Sequence, residues 1–325
     1  MRNKIKRMLC IFSATSVVAL TACSNVPALP TFDSELPWHD ASGASYELLD
    51  YTVAVYDTRN GSGDDVRVKI ADGALSFELT EESRVDGDRS YSSLDMNFSV
   101  TYNDSAPEAD RNKTDRIAST TEFATTSLVT SKMHKSVNLE EREGVNDYSY
   151  TIDADYFDKH SATMDFLDKQ LSISIPSGMY YDNETMFYLA RATALAAGGS
   201  TTFYLTGLFD CFMNGGFENI TMATSTASSL NTVYLGDWVK DFGVEGVTDD
   251  DGVTAYPISC YNTQIAMNVE KHGPPYYVLY SEKPFVQNDK EHNKIPVFMS
   301  FSEYERGKLV RVTEYTLSAC AFDKA

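Results

Sequence analysis

The chain has 325 residues, 47 of them acidic and 27 basic, giving a formal net charge of −20 at pH 7. This balance argues against nucleic-acid binding, which needs Lys and Arg stripes, and against charge-driven adhesion to an anionic membrane. The length allows a sizeable core, in one large domain or two moderate ones.

The first 23 residues address the chain. Arg2, Lys4, Lys6 and Arg7 precede a mostly apolar run at 8–20, and Leu20-Thr21-Ala22-Cys23 follows. A basic start, a short apolar segment and small residues before a cut are the parts of a secretory signal peptide. The Leu-x-small-Cys ending resembles the lipobox of bacterial lipoproteins. That resemblance implies cleavage after residue 22 and a diacylglyceryl thioether on Cys23. Two or more acyl chains, at roughly 0.8 kcal/mol per buried methylene, hold a protein stably on a bilayer. The expected location is therefore extracytoplasmic: the outer face of the cell membrane, or an outer membrane if the host has one. Residues 1–22 hold four basic and no acidic residues, so 23 basic residues remain against 47 acidic ones, a balance of −24. No later apolar stretch reaches the roughly 20 residues of a spanning helix. Residues 24–45, with Pro27, Pro30 and Pro37 among small and polar neighbours, read as a spacer between lipid and domain.

From Tyr46 the pattern has period two. Leu49, Tyr51, Val53 and Val55 alternate with polar or small residues, as a half-buried strand requires. Val66, Val68 and Ile70 form a second run and Leu75, Phe77 and Leu79 a third. Asp72-Gly73 stands between them as an expected hairpin turn. Leu94, Met96, Phe98, Val100 and Tyr102 predict another long strand, and the set implies an antiparallel sheet. Residues 103–146 are polar and less regular, and read as surface connections around a short strand near Leu128-Val129. Alternation resumes at Tyr148, Tyr150 and Ile152, and at Leu171, Ile173 and Ile175.

One helix is predicted near 182–197. Asp182 or Asn183 caps it, Met186, Leu189, Ala190, Thr193, Ala194 and Ala197 share a face, and Gly198-Gly199 ends it. Strands are expected again at 202–209, 217–224, 232–239, 253–269, 276–281, 296–303 and 309–318, with Tyr304-Glu305-Arg306-Gly307 turning the last pair. Strands, one helix, then strands describe a mainly β (α+β) fold. The expectation is a curved antiparallel sheet or half-barrel with one covering helix. It forms a β-rich domain over 46–325 that can divide into sub-halves meeting near 176–200.

Tyr181-Asp182, Tyr188-Leu189-Ala190-Arg191, Gly198, Val244-Glu245-Gly246-Val247, Asp251-Gly252-Val253-Thr254, Tyr280-Ser281, Lys294-Ile295-Pro296-Val297 and Glu314-Tyr315 occur in an order that resembles a family of uncharacterised bacterial envelope β-proteins. The likeness covers 178–320. It implies the half-barrel and covering helix of lipoprotein carriers, and no activity.

Enzymatic signatures are scarce. The chain has no G-x-S-x-G, H-E-x-x-H, Walker loop or G-x-G-x-x-G. Its five histidines are scattered, and none stands four residues from another. Cys211, Cys260 and Cys320 lack C-x-x-C spacing and read as buried thiols, with one structural bridge as the alternative. Asp249-Asp250-Asp251 is the densest carboxylate run, but it lacks the EF-hand spacing and reads as a solvated hairpin tip. No metal and no cofactor are expected. Arg191, in an otherwise apolar helix, needs a carboxylate partner or else stands at a cavity mouth, with Tyr188 and Tyr181 as ligand-facing neighbours. Twenty tyrosines, some gathered at 180–188 and 276–280, suit sheet faces and interfaces alike.

The expected function is that of a non-catalytic, lipid-anchored binding protein for an apolar or amphipathic envelope molecule. Its partners are the membrane, through the anchor, and that ligand or an envelope protein; nucleic acid is not among them. The alternative is a protein-interaction or structural envelope module. A third reading is a wall or glycan hydrolase using paired carboxylates.

Overall fold

The computed structural model describes residues 46–58, 67–125, 129–140, 147–155, 161–166, 169–174, 180–182, 185, 188, 200–206, 218–225, 231–267, 276–305 and 308–323. In chain order its first strands are β1 (Tyr46–Asp57), β2 (Val68–Asp86), β3 (Arg89–Tyr102), β4 (Thr114–Ala124), β5 (Thr130–Leu139), β6 (Tyr148–Asp155), β7 (Ser161–Phe166) and β8 (Lys169–Ser174). Then come β9 (Tyr180–Asp182), β10 (Ser200–Thr206), β11 (Glu218–Ser225), β12 (Asn231–Leu235), β13 (Val247–Thr248), β14 (Thr254–Met267) and β15 (Tyr276–Ser281). The series ends with β16 (Phe285–Gln287), β17 (Lys290–His292), β18 (Pro296–Glu305) and β19 (Lys308–Phe322).

Strands β1 to β8 form an antiparallel meander, each paired with the next. On its other side β1 pairs with β19, and the sheet continues through β18, β15 and β14. β11, β12 and β13 lie in turn along the far edge of β14. β10 pairs with β11, and β9 joins β10 as the one parallel pair among the described strands. The N- and C-terminal runs thus share one curved sheet through β1. Its ends are β8 and β9, and β9 comes to lie beside β5 without a ladder between them among the described residues.

Alternation explains which face is buried. Along β1 the residues Glu47, Leu49, Tyr51, Val53, Val55 and Asp57 all point inward, and the intervening ones are half-buried or exposed. Inward rows from β2, β3, β18 and β19 complete the main core, with Phe77, Met96, Phe98, Met299, Phe301, Tyr315 and Leu317 at its centre. Each such side chain contributes roughly 1.5–3 kcal/mol when fully buried. Tyr51 spans the interior, and its hydroxyl donates to the Pro296 carbonyl at 2.8 Å. A smaller cluster of Met133, Tyr150, Ile152, Ala154, Ala162 and Met164 lies under β5 to β7.

The two ends of the β1–β19 pair are finished differently. At the Glu47–Phe322 end, a 3-10 helix (Asp237–Phe242) places Phe242 against Phe285 and Phe322, with ring centroids 5.9 and 5.8 Å apart, and His292 stacks on Phe322 at 3.7 Å. Aromatic rings plug this end. At the other end Asp57 stands opposite Arg311, and the filling is polar.

Several expectations are corrected. Asp72-Gly73 is not a turn: β2 runs through it, pairing Gly73 with Val53 on one side and Val100 on the other. Strands approach so closely there that a Cβ on Gly73 would overlap the Ser99 carbonyl oxygen, so glycine serves close packing and not reversal. The turn lies at Asp86-Gly87 instead, where Asp86 pairs with Arg89 and Gly87 has φ of 60°. The stretch at 103–146 is not mainly connection. It contains β4 and β5, and Val129 precedes β5 in a linking segment. Their inward rows include Asp115, Ser119, Thr121 and Lys135, which hides the apolar alternation. The strand expected at 232–239 stops at Leu235 and becomes the 3-10 helix. Tyr304 and Glu305 belong to β18, where Tyr304 pairs with Leu309 and Glu305 with Lys308, so neither is a turn residue. The covering helix at 182–197 lies mostly outside the described residues. Within it Asp182 ends β9, while Tyr188 is helical and buried.

Candidate functional site

The polar end of the sheet holds a small cavity of about 20 Å³, lined by Val55, Phe98, Val100 and Tyr102, by Asp115, Ile117 and Leu139, and by Glu303, Arg311 and Thr313. That is room for about one water molecule. Its walls come from β1, β3, β4, β5, β18 and β19, so only a strongly curved sheet brings them together. Register sets the details. Arg311 lies between Asp57 of β1 and Glu303 of β18, and Thr313 and Tyr315 follow on the same face. Across the interior, Val100 pairs with Asp115, and Asp115 with Leu139.

One buried donor on the lining, and one on a residue packed behind it, have no hydrogen-bond partner among the described residues. Arg311 Nε is out of reach of solvent and makes no hydrogen bond among the described residues, although the guanidinium carbon lies 6.0 Å from the Tyr102 ring centroid. The Tyr315 hydroxyl is likewise without a partner, on a residue with 0% exposure. An unsatisfied buried donor costs about 1–3 kcal/mol, and a space of about one water adjoins Arg311. Tyr315 packs against the lining ring of Phe98 at 6.4 Å and against Phe301 at 5.3 Å.

Electrostatics separates the two groups' charge from their hydrogen bonding. Burial alone would lower the Arg311 pKa, but Tyr102, Glu303, Asp110 and Asp57 outweigh it and hold the guanidinium above its usual range. Burial, reinforced by Glu303, Tyr276 and Tyr102, pushes the Tyr315 phenol well above its usual value. Arg311 stays charged and Tyr315 stays a protonated donor. The charge of Arg311 is compensated through space, while its Nε–H has no acceptor.

No family model, curated protein or solved structure matches this chain. What the site does must therefore be argued from its own chemistry.

The residues singled out in the sequence fall elsewhere. Cys23 and Arg191 lie outside the described residues. Tyr181 is placed by its backbone alone, in β9 opposite Leu205. Tyr188 is buried, with its ring set edge-on to Phe77 at 6.4 Å, and belongs to the core and not to the cavity lining. Asp249, Asp250 and Asp251 form a hairpin tip in which the Asp249 Oδ1 accepts from the Asp251 and Val253 amides at 3.0 and 2.8 Å. No group of three or more potential metal ligands converges among the described residues. Cys260 and Cys320 are free thiols, so neither forms the alternative bridge; Cys211 lies outside the described residues.

Sequence reasoning missed Arg311 and Tyr315, yet a signal was present. In β19 the parity of the buried Leu317, Tyr315 and Thr313 continues to Arg311, which is half-buried and lines the cavity. A charged residue on the apolar parity of a strand is the mark of a functional or compensated position. Asp115 and Glu303 put two carboxylates on one cavity, as the hydrolase reading asks. Space for about one water does not admit a sugar ring within it.

Proposed function

We propose that the protein is a lipid-anchored extracytoplasmic binding protein that receives an apolar or amphipathic molecule at the polar rim of its curved sheet. The supporting observation is Arg311 Nε–H, a buried donor without an acceptor among the described residues, at a small cavity of about 20 Å³ whose other walls include Val55, Phe98, Val100, Ile117 and Leu139. Binding sites commonly combine an apolar wall with a few placed polar groups. In this reading the sheet is a half-barrel and the segment at 182–197 is its cover; Tyr188, helical and seated on Phe77, supports that role. The Leu20-Thr21-Ala22-Cys23 sequence supports the anchor.

The test is native mass spectrometry of the full chain in a volatile mild detergent, with solvent extraction of co-purifying molecules. A reproducible, stoichiometric acyl or isoprenoid mass is the expected result. A chain that emerges empty under gentle conditions overturns the ligand reading.

An interaction module remains the second reading, because one patch favours it. Tyr234, Val247 and Val253 are 66%, 61% and 61% exposed. Tyr234 pairs with Pro257 and Val247 with Ala255, so they crowd one face of β12 to β14. Contiguous apolar exposure of this kind marks contact surfaces.

A further inference from the structure

We propose that the exposed apolar face at Tyr234, Val247 and Val253 is a docking surface for the chain's own leading segment, with Leu36-Pro37-Trp38 laid across it. This stands apart from the ligand reading above and takes the patch that the second reading gives to a partner protein.

Strand register gathers the patch. Tyr234 pairs with Pro257, and Val247 pairs with Ala255, two residues away along the same edge of β14. Side chains two apart on a strand share a face. Tyr234, Val247 and Val253 therefore stand together, on the face opposite the one where Leu235 and Ile258 enter the core.

The first described strand begins at this end of the sheet. The Tyr46 carbonyl accepts from the Asp323 amide at 2.8 Å, and Glu47 pairs with Phe322. The Phe322 ring lies 5.8 Å from Phe242, on the 3-10 helix that stands between β12 and β13. From β1 to β12 the sheet takes five steps, through β19, β18, β15 and β14, or roughly 24 Å at about 4.8 Å each. Trp38 stands eight residues before Tyr46. Eight extended residues reach about 25 Å, which brings Trp38 to the patch.

Chemistry and area favour this occupant. A residue before proline favours extended backbone, so Leu36-Pro37 suits the extended segments that exposed aromatic rings such as Tyr234 receive. Leu36-Pro37-Trp38 carries no charge. Asp237, Glu245, Asp249, Asp250 and Asp251 flank the patch in the chain and are exposed. An anionic lipid surface, or a second copy with a formal net charge of −20, meets repulsion there. The three apolar side chains also offer only on the order of a few hundred Å², against roughly 800 Å² per partner in a stable complex. That is too little to hold a freely diffusing protein. A segment already joined to β1 meets the patch at an effective concentration on the order of millimolar.

The chain has two tryptophans, Trp38 and Trp238, so Trp238→Phe leaves Trp38 as the sole indole. The full chain with this change is placed in phosphatidylcholine nanodiscs, and the emission and acrylamide quenching of Trp38 are read. Emission to the blue of that in urea, with severalfold weaker quenching, is the expected result. Tyr234→Ser and Val247→Ser, each on an exposed side chain, should move the emission back to the red and restore most of the quenching. Leu36→Ser, which lies before the first strand, should do the same and keeps the test open if a patch variant misfolds. Solvent-like emission with the patch intact overturns the proposal and leaves the patch free for a partner protein. Protection that survives the serine substitutions places Trp38 elsewhere and overturns it. Protection lost on dilution assigns the face to a second copy, and quenching by brominated phosphatidylcholine assigns Trp38 to the membrane; either overturns it.

Discussion

Cys260 and Cys320 show how burial decides what a side chain can do. Cys260 is 1% exposed, its Sγ donates to the Ile258 carbonyl at 3.3 Å, and desolvation pushes its thiol up to about 12. Burial raises Cys320 in the same direction. Neither thiol offers a thiolate near neutral pH, so neither acts as a nucleophile there. A raised thiol pKa means that the folded state holds its proton more tightly than the unfolded chain. The resulting stability is whole below the usual value of 9.0 and is lost as pH climbs to about 12. The stability difference between the wild type and Cys260→Ala, measured by urea midpoints, should therefore be constant up to about pH 9 and fall above it. A difference that stays flat to pH 12 would show the thiol to be solvated. Arg84 works at the opposite extreme of exposure. It forks onto both Glu122 oxygens at 2.8 and 2.9 Å and, with Ser131, holds that carboxylate below its usual range. At the surface such a pair is worth under about 1 kcal/mol.

Strands and turns depend on glycine in two distinct ways, and β2 carries both. Gly73 has no room: an added Cβ would overlap the Ser99 carbonyl oxygen and lie 2.8 Å from the Val100 Cα. Gly87, at the β2–β3 turn, has open space around it but a φ of 60°. Gly87→Ala should cost about 1 kcal/mol, the left-handed backbone penalty. Gly73→Ala should cost more, roughly 1–3 kcal/mol or above, because backbone must move and no rotamer relieves the overlap. Urea midpoints at a common slope measure both. An unchanged midpoint for Gly73→Ala would mean that β2 and β3 separate freely, and the tight pairing would be wrong. The sequence contained three Asp-Gly pairs with nothing local to rank them. Two of them reverse the chain, at Gly87 and at Gly252 with φ of 81°. The third continues a strand because β1 and β3 claim its backbone on both sides. Strands β4 and β5 escaped notice for a related reason. Their inward positions include the buried Asp115, Ser119, Thr121 and Lys135, which break the apolar alternation.

At the scale of the molecule, the curved sheet unites the first and last strands through β1. One end is closed by Phe242, Phe285, His292 and Phe322, and the other is left polar around Arg311. The proposed function adds a lipid anchor and a spacer before Tyr46. If Cys23 carries that anchor, Cys23→Ala should move the protein from the membrane fraction to the soluble fraction without changing its urea midpoint. Retention in membranes after this change would remove the lipoprotein reading.

The sequence by itself determined the mainly β class, the alternating cores of β1 and β3, the pairing of the last two strands and the acidic charge. These depend on neighbours two residues apart or on simple sums, and a linear chain displays both. Only the tertiary structure decided that Gly73 lies inside a strand, that the segment before Tyr148 holds two strands, and that Arg311 and Glu303 face one cavity with Asp115. Those residues lie far apart in the chain and meet only because six strands curve around a common interior. No local pattern records a curvature that arises from the whole sheet.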